Sequence, residues 1–218
     1  ARKRSAQSTR WLQRQLNDPY VAAAKAEGYR SRAAFKLAQI DDKFHVLEPG
    51  RQVVDLGAAP GGWTQVAVER AGAGHVLAVD SQTMEPVAGA RFLRCDLGEE
   101  EAAGTIGEAL DGQLHVVLSD MSPAVTGHAA TDHLRIIALC EAALALAEDL
   151  LSPGGAFVAK VFQGGAQGDL PVQREAGVAF KQDGITGPNG KTVNAPVRQV
   201  VGGQPGLAVA QAGIAGAR

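Results

Sequence analysis

Residues 53–63 read Val-Val-Asp-Leu-Gly-Ala-Ala-Pro-Gly-Gly-Trp, and this stretch decides the fold class. A short apolar run ends in Asp55, a glycine-rich turn follows, and a helix-like segment begins near Gly62. A strand, a tight turn and a helix start in this order form the ligand-binding edge of an open α/β sheet. Glycine lets the backbone of such a turn approach a ligand closely. The stretch therefore predicts an α/β protein that binds a nucleotide-like cofactor.

Strands and helices alternate on both sides of this turn. The pattern predicts strands at 52–56, 75–79, 91–95, 113–118 and 155–162, and helices at 62–72, 99–110 and 130–151. Upstream it predicts a helix at 8–27, in which Pro19 either breaks the run or starts a second helix, and a helix at 32–43 with Ser31 as its N-cap. Alternation of this kind predicts a mostly parallel sheet with helices on both faces.

The composition is that of an ordinary globular domain, with 45% hydrophobic and 20% charged residues among 218. No apolar run has the length of about 20 residues that a membrane span needs, and the basic N-terminus lacks the apolar core of a secretory signal. Cys95 and Cys140 are expected to be reduced thiols in the core. These features predict a cytoplasmic protein that makes no use of a membrane.

Charge is distributed unevenly along the chain. Residues 1–36 contain nine Lys or Arg against two acidic residues, residues 37–170 contain seven against nineteen, and residues 171–218 contain five against two. Clustered basic residues neutralise phosphates, so the N-terminal segment is either a solvated tail or a contact to nucleic acid.

The glycine turn does not match the common phosphate-binding motifs. Ala59 stands where the dinucleotide fingerprint G-x-G-x-x-G needs its central glycine, and Trp63 stands where a P-loop needs lysine. Residues 184–192 resemble a P-loop only superficially, because the spacing is wrong and no apolar strand precedes them.

S-adenosylmethionine fits the turn better because it contains no phosphate. Asp55, Asp80 and Asp96 stand at the ends of three successive predicted strands. Asp80 is placed to accept hydrogen bonds from ribose hydroxyls, and Asp96 is placed to accept one from the adenine amino group. Gly57 lies in the turn itself, and Trp63 either packs near the sulfonium cation or between helix and sheet.

Three further residues predict the chemistry. Asp120 follows the fourth strand at the ligand edge, and Lys160 lies in an apolar strand, where an unused lysine is costly. Lys36, on the helix before the first strand, completes the set. A ribose hydroxyl is a weak acid that needs a base, and a lysine can be that base if burial and a neighbouring cation favour its neutral form. The histidines offer no comparable set, and we expect no metal site at His128 and His133.

Four ordered motifs resemble the FtsJ/RrmJ (RlmE) family of ribosomal RNA 2′-O-methyltransferases over residues 9–170. They are Ser31-Arg-Ala-Ala-Phe-Lys-Leu37, Asp55-Leu-Gly-Ala-Ala-Pro-Gly-Gly-Trp63, Ser119-Asp-Met-Ser-Pro123 and Lys160-Val-Phe-Gln-Gly164. The resemblance implies a Rossmann-like methyltransferase fold with a seven-stranded sheet whose last strand is antiparallel. It also implies methylation of a uridine 2′-hydroxyl in 23S rRNA of the 50S ribosomal subunit by a protein expected to be a monomer.

The same resemblance implies roles for individual residues. Lys160 is the implied proton acceptor, accompanied by Lys36 and Asp120. The implied S-adenosylmethionine contacts are Gly61, Trp63, Asp80, Asp96 and Asp120, to which the residues themselves add Asp55 and Gly57. The family's fourth catalytic residue, a glutamate before the last strand, has no counterpart, because Glu175 stands in a different context.

Three segments are predicted: a basic RNA-contacting extension (1–30), a catalytic domain (31–170) and an atypical C-terminal segment (171–218). The last contains nine glycines and four prolines among 48 residues and a single leucine, and it lacks the apolar strands expected to complete the sheet. The sequence is still compatible with short strands at 197–201 and 207–210. A tRNA 2′-O-methyltransferase, a non-catalytic ribosome-assembly factor that keeps the fold, and a small-molecule methyltransferase or nucleotide-binding oxidoreductase are the alternatives to the rRNA enzyme.

Overall fold

The computed structural model describes residues 19–122, 126, 128–160, 185–186, 192–193, 200–201 and 207–211. Several predictions lie outside these residues: the helix before Pro19, the motif residues after Lys160, and the context of Glu175. None of the described helices combines the length and the apolar character that crossing a membrane requires.

From residue 53 to residue 160 the described strands and helices alternate, except that no helix separates the second strand from the third. The helices are α1 (Pro19–Ala26), α2 (Ala33–Phe44), α3 (Gly62–Ala71), α4 (Ala102–Glu108) and α5 (Ala129–Leu150). The first five strands are β1 (Val53–Leu56), β2 (Val76–Asp80), β3 (Ala90–Arg94), β4 (Leu114–Ser119) and β5 (Leu151–Lys160). The C-terminal strands are β6 (Ile185–Thr186), β7 (Thr192–Val193), β8 (Val200–Val201) and β9 (Leu207–Gln211).

Seven strands form one sheet in the order β3-β2-β1-β4-β5-β9-β8. The first five are parallel to one another, and β9 runs antiparallel to β5. The strand order reverses direction between β1 and β4, which is the point at which ligands bind in open α/β sheets. The predictions of a mostly parallel seven-stranded sheet and of an antiparallel last strand are confirmed.

Helices cover both faces of the sheet because successive strand residues point to opposite sides. On one face Leu37 of α2 and Trp63 of α3 pack against Val53 and Val116. On the other face α4 and α5 pack against residues such as Val117. Parallel strands buried on both faces carry continuous apolar runs, which explains why the central strands were recognisable in the sequence.

The start of α2 differs from the prediction. Arg32, not Ser31, occupies the N-cap position, and no side chain caps the helix. Ser31 instead packs against the start of α3: a β-carbon at Gly62 would lie only 2.2 Å from the Ser31 hydroxyl oxygen. The Ser31 side chain is thus used in a tertiary contact that local helix rules do not foresee. Pro19 starts α1, in agreement with the second of its two predicted roles.

The C-terminal segment contributes more to the sheet than its composition indicated. The expectation that this segment lacks the strands that complete the sheet is wrong, because β9 pairs with β5 along five residues and β8 pairs with β9. These two strands lie at the positions, 197–201 and 207–210, where the sequence was compatible with short strands. Main-chain hydrogen bonds form a strand pair without large apolar side chains, so a Gly/Pro-rich segment can still close a sheet edge. Part of the stretch that resembles a P-loop, residues 184–192, forms a different structure, since β6 and β7 pair with each other in a separate antiparallel sheet.

Candidate active site

A cavity of about 940 Å³ opens at the carboxyl ends of β1, β2 and β4. This volume lies in the range of small-molecule sites. Its walls are formed by the turn after β1, the loop after β2, the loops after β3 and β4, and one residue each from the segment before α2 and from α5. The lining residues are Arg30, Gly57, Ala59, Pro60, Val79, Asp80, Ser81, Gln82, Thr83, Met84, Glu85, Cys95, Asp96, Leu97, Asp120, Met121, Ser122 and Leu139.

Asp120 and Lys160 lie together at the ends of neighbouring parallel strands. Ser119 pairs in register with Ala159, so each charged residue follows its neighbour at the same level of the sheet. The Lys160 ammonium forms an ion pair with the Asp120 carboxylate and donates a hydrogen bond to the Asp120 carbonyl at 3.2 Å. Their side chains are 17% and 19% exposed. This partial burial weakens screening by water and strengthens the pair.

The third predicted catalytic residue, Lys36, lies on α2 with an exposed side chain. No ion pair joins it to another residue in the described part of the chain. Asp120 and Lys160 are in direct contact with each other.

Asp80 and Asp96 both line the cavity, as separate carboxylates from neighbouring strands. The Asp80 carboxylate accepts the main-chain N–H groups of Ala59 at 2.9 Å and Gln82 at 2.8 Å, one on each oxygen. Asp96 accepts the N–H of Gly98 at 3.0 Å. A carboxylate oxygen has two lone pairs, so both side chains retain acceptor capacity toward a ligand. Asp96 was expected at the end of a strand reaching 95, whereas β3 ends at Arg94.

Asp55 is fully buried beneath the turn and does not line the cavity. One of its carboxylate oxygens accepts a hydrogen bond from the Thr64 hydroxyl at 2.6 Å, and the other has no hydrogen-bond partner among the described residues. Burial raises the pKa of Asp55 from 3.8 to about 7. The Thr64 hydrogen bond opposes this increase, and the negative charges of Asp120 and Asp80 add to it.

The raised pKa predicts how Asp55 contributes to stability. Between pH 4 and pH 7 the folded chain retains a proton on Asp55 that the unfolded chain has released, so the stabilisation is lost as pH rises through this window. Asp55→Asn removes the titration. In urea unfolding we expect the free energy of unfolding of the variant, relative to the wild type, to increase by on the order of 4 kcal/mol as pH increases from 4 to 8. Asp111→Asn, at an exposed carboxylate paired with Arg91, is the control. A difference between wild type and Asp55→Asn that is constant with pH would contradict this assignment.

Trp63 and Gly61 also lie outside the cavity lining. The Trp63 side chain is 2% exposed, and its indole N–H donates to the carbonyl of Ala33 at 2.9 Å. The ring therefore joins α3 to the start of α2, which corresponds to the packing role considered for it. Gly61 has φ of 109° and precedes α3, where a β-carbon would approach Val87 at 2.9 Å and Arg30 at 3.0 Å.

Position 57 lines the cavity and also lies close to the residue that follows β4, so only glycine fits there. Its φ is 71°, and a β-carbon would lie 2.5 Å from Cγ and 2.9 Å from Cα of Met121. Met121 follows Asp120, so the close approach of the turn after β1 to the end of β4 depends on glycine at this position. From the sequence, the glycines of this turn were expected to allow close approach of a ligand and unusual φ angles, but the contact with Met121 was not foreseen.

Two parts of the wall were not found from the sequence. Arg30 was counted among the basic residues of the N-terminal segment, whereas its guanidinium lies at the cavity and bonds to main-chain carbonyls up to 56 residues away. Residues 81–85 form a wall with no regular secondary structure. Neither Arg30 nor residues 81–85 could be recognised as part of the cavity from a local sequence pattern, because their contacts are with residues distant in sequence. In the described part of the chain no three metal-binding side chains are grouped to hold an ion.

The open, mostly parallel sheet and the acidic cavity at its switch point define a Rossmann-like α/β protein with a candidate small-molecule site. The sequence profile of FtsJ-like methyltransferases matches residues 29–195, and the chain belongs to this family. The resemblance seen in the four motifs is thereby confirmed, and the chain is a methyltransferase.

Similar proteins have informative names. A protein of Granulibacter bethesdensis called ribosomal RNA large subunit methyltransferase E is 59% identical over 170 residues, which cover 78% of this chain and 74% of that protein. A protein of the same name from Acidiphilium cryptum is 58% identical and is covered to 75%. A crystal structure from Plasmodium falciparum, assigned as a ribosomal RNA methyltransferase, has a TM-score of 0.58 at 28% identity and covers 63% of this chain and 81% of that chain.

Proposed function

We propose that this methyltransferase transfers a methyl group from S-adenosylmethionine to the 2′-hydroxyl of a uridine in 23S rRNA of the large ribosomal subunit. The observation that carries the proposal is the half-buried Lys160–Asp120 ion pair, of which Asp120 lines a cavity large enough for a nucleoside cofactor. The names of the relatives support rRNA as the substrate. The predicted cytoplasmic location and monomeric state stay predictions, as do the segment boundaries at residues 30 and 170.

The charge of the cavity favours S-adenosylmethionine over a dinucleotide. Four lining residues are acidic, Asp80, Glu85, Asp96 and Asp120, and Arg30 is basic but donates to main-chain carbonyls. Such a site repels a pyrophosphate and attracts cations. S-adenosylmethionine carries a sulfonium and an ammonium group and no phosphate. The residues present therefore fit this cofactor.

Each wall offers a contact for one part of the cofactor. Asp80 accepts hydrogen bonds from the ribose hydroxyls, and Asp96 accepts one from the adenine amino group. Leu97 and Met121 supply apolar surface for the adenine ring. Gly57 contributes its main chain. In this proposal Asp55, Gly61 and Trp63 shape the turn from beneath and do not touch the ligand.

When bound, S-adenosylmethionine supplies an electrophilic methyl group on its sulfonium. Lys160 would accept the proton of the ribose 2′-hydroxyl, so that the oxygen could bond to this methyl group. Asp120 orients the amine and stabilises the ammonium that results, as their ion pair illustrates. In-line placement of the hydroxyl supplies the remainder of the rate increase. Lys36, exposed on α2, is proposed to approach the RNA at the rim.

The proposal predicts selective labelling of large-subunit particles. The protein is incubated with radiolabelled S-adenosylmethionine and, separately, with 50S particles that lack the modification, with 30S subunits and with tRNA. We expect label in 50S particles, recovered after alkaline hydrolysis as a dinucleotide, because a methylated 2′-oxygen cannot attack the adjacent phosphodiester. Label in tRNA alone would favour a tRNA methyltransferase. Cofactor binding without transfer to any RNA would favour the assembly factor.

A further inference from the structure

The loop between β2 and β3 forms one wall of the cavity and is held at its two ends by arginines. We define residues 81–86 as the cavity loop; Ser81 to Glu85 all line the cavity. At its start, Arg94 of β3 donates to the carbonyl of Ser81 at 3.0 Å. At its end, Arg30 donates to the carbonyls of Glu85 at 2.5 Å and Pro86 at 2.6 Å. Within the described residues, Thr83 and Met84 make no hydrogen bond between these two anchors.

Arg30 also contacts the opposite wall. Its guanidinium donates to the carbonyl of Pro60 in the turn after β1 at 3.2 Å. Three carbonyl groups from two loops therefore share one planar cation, whose rigid fork of N–H donors suits several acceptors at once. This side chain therefore joins the two walls, in addition to the Asp80 carboxylate, which accepts the N–H groups of Ala59 and Gln82.

The surrounding residues accommodate the Arg30 side chain. The β-carbon that any other residue would place at Gly61 would lie 3.0 Å from Nη1 and 3.2 Å from Cδ of Arg30. The main-chain N–H of Arg30 donates to the side chain of Gln65 in α3 at 2.8 Å, which fixes the point where the side chain leaves the backbone. Gly61 thus provides the space that Arg30 occupies, and α3 holds its position.

We propose that Arg30 is a positioning residue that preorganises the cavity for its cofactor by tying the cavity loop to the turn after β1. A ligand that contacts both walls binds more tightly when the walls are held in place beforehand, because less conformational entropy is lost on binding. Arg30 thereby sets cofactor affinity and leaves the chemical step to Lys160 and Asp120. This inference rests on the proposed use of S-adenosylmethionine.

The test measures binding of S-adenosylmethionine to the full chain by equilibrium dialysis. We expect Arg30→Ala to raise Kd by about tenfold or more, since it removes three charge-assisted hydrogen bonds. Arg30→Lys keeps the charge but not the fork, and should raise Kd by about threefold. In methyl-transfer assays KM for the cofactor should rise in parallel, while kcat at saturating cofactor stays within about twofold. Hydrogen exchange of residues 81–87 should accelerate in Arg30→Ala.

Arg91→Ala is the matched control. Arg91 also donates to a main-chain carbonyl, that of Ala109 at 2.6 Å, but it does not line the cavity. Arg91→Ala should leave Kd for S-adenosylmethionine unchanged. We expect Arg30→Ala and Arg91→Ala to change Tm by a similar amount. Wild-type cofactor affinity in Arg30→Ala would overturn the proposal, as would weaker RNA binding with unchanged cofactor affinity. Failure of the wild type to bind S-adenosylmethionine would instead refute the proposed cofactor.

Discussion

Lys160→Met is expected to lower kcat of methyl transfer by about 10²-fold or more, because a positioned general base contributes roughly this factor. Methionine keeps the length and the apolar stem of lysine but cannot accept a proton. The side chain is 17% exposed and belongs to the end of β5, so the substitution leaves the strand pairing with β4 intact. Kd for S-adenosylmethionine should change little, since Lys160 is absent from the cavity lining.

The measurement combines single-turnover methyl transfer at saturating cofactor with equilibrium binding. Lys43→Met is the control, at a lysine whose ammonium lies 5.2 Å from the ring centre of Phe44 on α2. It should retain full activity. Lys160→Met with wild-type kcat would refute the assignment of Lys160 as the base, whereas lost cofactor binding would place this lysine in the binding site instead.

Gly57→Ala is expected to destabilise the protein by roughly 3 kcal/mol, as the sum of a left-handed backbone conformation and overpacking. The new methyl group would lie 2.5 Å from Cγ and 2.9 Å from Cα of Met121, so the main chain after β4 has to move. Asp120 precedes Met121 directly, and its own N–H donates to the carbonyl of Leu56 at 3.2 Å. The displacement should therefore reduce methyl transfer as well as stability.

Gly74→Ala separates the two contributions to this effect. Gly74 has φ of 86°, but a β-carbon there meets nothing within 4 Å. It should cost only about 1–2 kcal/mol, the strain of the left-handed conformation, and leave activity unchanged. Urea unfolding and methyl-transfer assays compare the two variants. Equal destabilisation by both would show that the approach to Met121 does not constrain the turn.

The order of strands and helices was predictable from residues 52–162 because parallel strands buried on both faces carry a strong local signal. The pairing of Asp120 with Lys160 was partly predictable as well. A lysine in an apolar strand needs a partner, and the carboxyl ends of parallel strands meet at one edge of the sheet. The structure provides that partner 40 residues away in sequence.

The errors share one physical origin. Ser31 was predicted as a helix cap from its local sequence, but it packs against Gly62 instead. The strands β8 and β9 formed in a segment whose composition argued against them, because main-chain pairing with β5 does not depend on large side chains. In each case a tertiary contact replaced the local preference.

From the sequence alone, the α/β class, the glycine-rich turn after β1 and the charged residues at the strand ends could be predicted, because these depend on periodicity and on residues close along the chain. Only the tertiary structure decided that Asp55 and Trp63 lie beneath the turn, that Gly57 makes room for Met121, and that Arg30 joins two walls of the cavity. These outcomes depend on which distant segments meet. Local sequence patterns do not predict these contacts, because they depend on how side chains pack across the whole sheet.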